Sequence, residues 1–167
     1  MRTTIRNLTT SILLIAPTIA LAGVADSPVP DLAGDPAKVA FYVTGVTKNN
    51  GLETLFVCTS LDSSGSYEVG VEIFSELGGP PSNNAAGGDG VQTVPAGGSV
   101  TISTGATAGF HEDEVIVTVP ANIRGGSARI VSTSRRLMCH AFLAEELGSP
   151  PAVMMPLKTI AKRQNGD

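Results

Sequence analysis

The sequence predicts an all-β protein: an antiparallel β-sandwich of seven to nine short strands with one disulfide. Three observations lead there. From residue 38 onward, short runs alternating between apolar and polar residues are separated by turns rich in Gly, Pro, Asn and Ser. No stretch carries a convincing amphipathic helical pattern. Two cysteines, Cys58 and Cys139, fall inside two of the strand-like runs, in a chain whose front end has the layout of an export signal.

At that front end, Arg2 and Arg6 precede an apolar run over residues 11–22, and small residues follow up to Ala22 and Ala25. Residues 1–25 are therefore expected to be a cleaved signal peptide. The run is too short for an anchor, which needs about 20 apolar residues, and Pro17 interrupts it. The expected location is periplasmic or extracellular, with no membrane span in the mature form. Losing Arg2 and Arg6 leaves nine basic residues against 15 acidic ones, a balance near −6. A surface of that sign argues against nucleic acid as a partner, because binding there requires cations that neutralise phosphates.

Residues 26–37, with three prolines and three aspartates, read as an extended linker. The domain is expected over residues 38–158. Its first strand, KVAFYVTGV, sets Val39, Phe41 and Val43 against Ala40, Tyr42 and Thr44. Asn49-Asn50-Gly51 then predicts a hairpin turn, since Asn and Gly tolerate positive φ. LETLFVCTS is the expected partner strand. In YEVGVEIFSEL, Tyr67, Val69, Val71 and Ile73 form a core face, and Glu68, Glu72 and Glu76 a wet one. Residues 78–90 read as a long flexible loop, VQTV and VTIST as two strands, residues 105–114 as a second loop, and VIVTV as a further strand. GSARIVSTSRRLMCHAFLAE supplies a strand or hairpin, FLAEEL has room for one helical turn, and AVMMPL is placed to close the sheet. Residues 159–167 read as a polar tail.

Two cysteines in an exported chain predict a disulfide. Strand phase agrees: Leu137, Cys139 and Ala141 share one face, which sends His140 to the opposite one with Met138 and Phe142. The adjacent Cys139 and His140 are thus separated and are not expected to form a reactive or metal-binding pair. LFVCTS in an early strand, with a second cysteine in a penultimate strand, resembles the cross-sheet clasp of immunoglobulin-like sandwiches. The chain departs from that pattern in having no tryptophan and in carrying Leu137 at the place of the corner tyrosine. VPAGGSVTIST and GSARIVSTSRRLMCHAFL, with the prolines, Met and Leu that follow, resemble small exported bacterial proteins with no assigned activity. That resemblance covers about half of the mature chain and implies a fold without a function.

The densest candidate for chemistry is His111-Glu112-Asp113-Glu114, whose imidazole and carboxylates suit a divalent metal. No second histidine follows at helical spacing, and adjacent side chains on an extended loop splay apart, so a solvated loop is the competing reading. No nucleophile elbow, phosphate-binding loop or dinucleotide fingerprint occurs, and no cofactor is expected. Phe110 is the one aromatic placed in a loop, while Arg129, Arg135 and Arg136 form a basic spot; these are the candidate partner surface. The expected function is a structural or interaction module of the cell envelope or extracellular space, meeting a protein or envelope component through its loops. A secreted hydrolase or metal-dependent enzyme built on His111 and nearby acids is the alternative. A fibre assembled by strand donation, rather than a monomer, is a third reading.

Overall fold

In the computed structural model, described over residues 23–107, 109–146 and 154–162, two five-stranded sheets pack face to face around a buried apolar core. Most of the expected signal peptide, residues 147–153 and the end of the polar tail lie outside the described residues.

One sheet runs β12 (Thr159–Ala161), β3 (Lys38–Lys48), β9 (Ile123–Ser132), β5 (Ser66–Phe74) and β6 (Val91–Pro95). The other runs β11 (Met154–Pro156), β10 (Leu137–Glu145), β4 (Leu52–Ser60), β7 (Ser99–Ser103) and β8 (Glu114–Val115). Pairing is antiparallel except for β7 with β8. Val43, Val46, Val69, Val71, Ile73, Ala128 and Ile130 from the first sheet meet Phe56, Cys58, Val100, Ile102 and Cys139 from the second. These apolar faces arise from period-two alternation, which the strand pleat converts into sidedness.

β3 breaks that period. Its register against β9 shifts between Val39 and Phe41 and again around Gly45, which sits at φ 83°. A bulge adds a residue to one strand and turns the following side chains over. Val39 and Tyr42 consequently face outward, while Phe41, Val43 and Val46 face the core, correcting the expected grouping of Val39 with Phe41.

The Asn-Gly turn forms as expected, with Asn50 at φ 53° and Gly51 at φ 76° and reciprocal bonds between Asn49 and Leu52. Pairing stops there, because β3 and β4 diverge into opposite sheets. Where they part, the Thr54 hydroxyl accepts from Thr47 N at 2.9 Å and donates to Thr47 O at 2.9 Å. One side chain thereby satisfies both backbone groups at the fork. β9 and β10 also lie in different sheets, joined by residues 133–136. Phe142 to Glu145 continue β10 instead of turning helical, and VIVTV contributes only Val115 to a strand.

The N-terminal segment is no free linker. β1 (Asp31–Leu32) and β2 (Asp35–Pro36) form a small hairpin laid on the outer face of the β3–β9–β5 sheet. Leu32 is fully buried there against Val39, Val131 and Ala85, in a second, smaller core. Ala85 comes from the glycine-rich loop 78–90, which folds onto the same face through a 3-10 turn over Ala85–Gly87. Asn83 pins this loop: its Oδ1 accepts from Ile73 N at 2.9 Å, and its Nδ2 donates to Val71 O and Asp89 O. At the other end, Thr159–Ala161 of the expected tail add a strand to β3. The short run between β11 and β12 carries the chain from one sheet edge to the other, with Leu157 packed against the core on the way.

Candidate functional site

Cys58 and Cys139 are bonded, with Cα atoms 4.2 Å apart. They are directly opposite residues of β4 and β10, so the bridge ties neighbouring strands within one sheet. This corrects the expected cross-sheet clasp: both cysteines face the core, but from the same side of it. His140 projects to the outer face, exposed, its ring 6.4 Å from that of Phe142. Alternation along β10 separates thiol and imidazole as the sequence predicts.

The acidic run does not converge. Glu112 accepts from Thr107 N and Thr107 Oγ1, Asp113 Oδ2 accepts from Thr101 N at 2.7 Å, and Glu114 Oε2 accepts from Gln92 Nε2. Glu112 therefore closes loop 105–114 on itself, Asp113 and Glu114 fasten it to β7 and β6, and His111 is exposed. Among the described residues, no three His, Cys, Asp or Glu side chains group as metal ligands would. The residues expected as a ligand set, His111, Glu112, Asp113 and Glu114, are thus not brought together: the three carboxylates are engaged in separate hydrogen bonds and His111 is exposed.

The basic spot is divided as well. Arg129 is 1% exposed and Glu72 is 4% exposed. They lie opposite each other on β9 and β5, and Arg129 Nε donates to Glu72 Oε2 at 2.5 Å. The guanidinium also donates to Ser27 O and Pro28 O and lies over the Phe74 ring, 5.4 Å from its centroid. Neither a partner surface at Arg129 nor a wet face at Glu72 survives: both side chains are buried, and the N-terminal segment caps the guanidinium. Both expected cleavage positions, after Ala22 or Ala25, leave Ser27 and Pro28 in place. Arg136 pairs with Asp62 at 3.3 Å, and Ser134 Oγ donates to the same carboxylate at 2.8 Å. Arg135 remains at the surface, exposed.

The outer face of the cysteine-bearing sheet is built differently. Loop 105–114 lays Phe110 over Phe142, ring centroids 6.4 Å apart and nearly parallel. Beside them stand His140, Met138 at 46% exposure and the half-buried Val57, with Met154 and Met155 exposed on the edge strand. Tyr67, by contrast, is buried, its hydroxyl donating to Arg136 O at 3.1 Å.

Sequence reasoning missed Glu53. It lies on this same outer face, 6% exposed, accepting from Thr104 Oγ1 at 2.6 Å. Gly105 leaves the space it occupies, since a Cβ there would come within 2.5 Å of the carboxyl carbon. Burial holds the Glu53 carboxyl above its ordinary value, against opposing pulls from the Thr104 hydrogen bond and the Lys48 charge. A glutamate on the outward phase of a strand gives no sequence signal that a loop closes over it.

Comparison with protein-family profiles, curated proteins and solved structures finds no match to this chain.

Proposed function

We propose that this chain is an exported β-sandwich acting as a structural or interaction module in the cell envelope or outside the cell, with a protein as its partner. The observation that carries the reading is the opposite treatment of its two outer faces. One is packed beneath the N-terminal hairpin and loop 78–90. The other presents Met138, His140 and the Phe110–Phe142 stack on a disulfide-tied sheet. Exposed apolar and aromatic side chains on a rigid scaffold are what protein interfaces use at their centres. The disulfide supports an oxidising compartment, and the signal-like first 25 residues support export.

The test is site-specific photo-crosslinking in intact cells from position 138, compared with position 124 near the far end of the other sheet. A discrete partner captured from 138, lost on His140→Asp and absent from 124, is the expected result. Equal capture from both positions, or retention of the protein in the cytoplasm with reduced thiols, overturns the reading.

A further inference from the structure

At one end of the sandwich, the start of β3, the residue after β12 and the β9–β10 connection enclose a cleft of about 190 Å³. Among the described residues, Lys38, Arg135 and Lys162 line it, and no acidic side chain does. Three cations around one cleft stand out on a chain whose net charge is −4. Their placement is fixed by backbone. Lys162 N donates to Ala40 O at 2.9 Å, which sets Lys162 beside the first residues of β3. The connection is held by Ser134 N on Ser132 Oγ and by Arg136 N on Ser134 Oγ, both at 3.1 Å. Asp62, the acid at this connection, is engaged by Arg136 and Ser134 and is not among the cleft's lining residues.

The cleft also has an apolar side. Phe41 and Leu137 line it from the two sheets, and both pack against the main core. Cations over an apolar floor match a ligand with one charged end and a short hydrocarbon stem. A volume near 190 Å³ lies below the roughly 300–1,000 Å³ of pockets that take drug-sized ligands. That room seats a head group and a few carbons rather than a long acyl chain.

We propose that this cleft binds a small organic anion with a short apolar stem, its carboxylate or phosphate head held by Lys38, Arg135 and Lys162 and its stem laid on Phe41 and Leu137. The site is separate from the outer-face surface and goes beyond the interaction-module reading. Charge attraction draws the head, and burial of the stem adds affinity that a bare ion does not gain.

Amide NMR titrations of the purified protein with hexanoate, hexyl phosphate, 1-hexanol and inorganic phosphate test it. Saturable shifts confined to residues around 38–41, 134–137 and 161–162 are expected with hexanoate or hexyl phosphate, and the stronger of the two identifies the head. Lys38 and Lys162 are exposed, so Lys38→Ala/Lys162→Ala leaves the fold intact, and it should weaken binding about tenfold or more. Equal binding of 1-hexanol overturns the role of the charge, and equal binding of inorganic phosphate overturns the role of the stem. Absence of saturable shifts with either anion, or unchanged affinity in the double variant, overturns the proposal as a whole.

Discussion

Arg129 Nε lies 2.5 Å from Glu72 Oε2, with both side chains nearly removed from water, and the same guanidinium reaches the carbonyls of Ser27 and Pro28. A desolvated ion pair contributes little net stability compared with an apolar isostere, but stranding one member is costly. Arg129→Met leaves the Glu72 carboxylate buried without its cation and removes the donors that hold the N-terminal segment. The expected loss is about 3–5 kcal/mol by urea unfolding, with new protease sensitivity within residues 26–37. Arg129→Met/Glu72→Leu should recover much of the stability without restoring that protection. A loss below about 1 kcal/mol in the single variant contradicts the arrangement.

That pair also shows where sequence legibility ends. Alternation revealed the long strands of both sheets, the shared phase of Leu137, Cys139 and Ala141, and the separation of Cys139 from His140, because each depends only on neighbours along the chain. Which strands become neighbours depends on contacts 57 residues apart, as for Arg129 and Glu72. Read alone, each of these two looks like the solvated side of a half-buried strand. The charges lie on the outward phase as expected, but that face is covered by the proline-rich segment that looked like a linker. The bulges in β3 escaped notice for a related reason: a register shift exists only relative to a partner strand. Of the candidate site, Phe110 was legible as a loop aromatic, whereas its seat on Phe142 and the closure over Glu53 required the fold.

The Cys58–Cys139 bond closes a separation of 81 residues. In the chain-entropy account, a loop of that length restricts the unfolded chain by about 4–5 kcal/mol. Cys58→Ala/Cys139→Ala should lose a stability of that order in guanidinium unfolding. Reductant should lower the midpoint of the parent protein and leave that of the double variant unchanged. A double variant as stable as the parent would remove the bridge from any account of the fold.

Asn83 is 6% exposed and serves three backbone groups, Ile73 N, Val71 O and Asp89 O. Asn83→Ala leaves the first two buried without that partner, at about 1–3 kcal/mol for each group left unsatisfied. The expected result is a lower thermal midpoint together with faster proteolysis across residues 84–90. Asn83→Asp should not rescue it, because a carboxylate accepts from Ile73 N but has no proton to donate to either carbonyl. Cleavage rates equal to the parent's in both variants would mean the loop is held elsewhere.

Glu53 sets a pH dependence whose sign follows from its environment. Burial raises its carboxyl above the ordinary 4.5, so the folded state holds this proton more tightly than the unfolded chain does. Its contribution to stability is fully present below the unfolded value and is lost as pH rises through the raised folded value. Glu53→Gln keeps an acceptor for Thr104 Oγ1 without the charge. The stability gained by that variant over the parent should be small at pH 4 and increase toward pH 7. Lys48 opposes the shift, its Nζ donating to Thr104 O at 2.5 Å. Lys48→Met should therefore raise the Glu53 value further and extend the pH range over which the gain from Glu53→Gln develops. Unfolding midpoints of the parent, the two single variants and the double variant, measured from pH 4 to 8, decide it: a gain from Glu53→Gln that is constant across that range means the carboxyl is not perturbed.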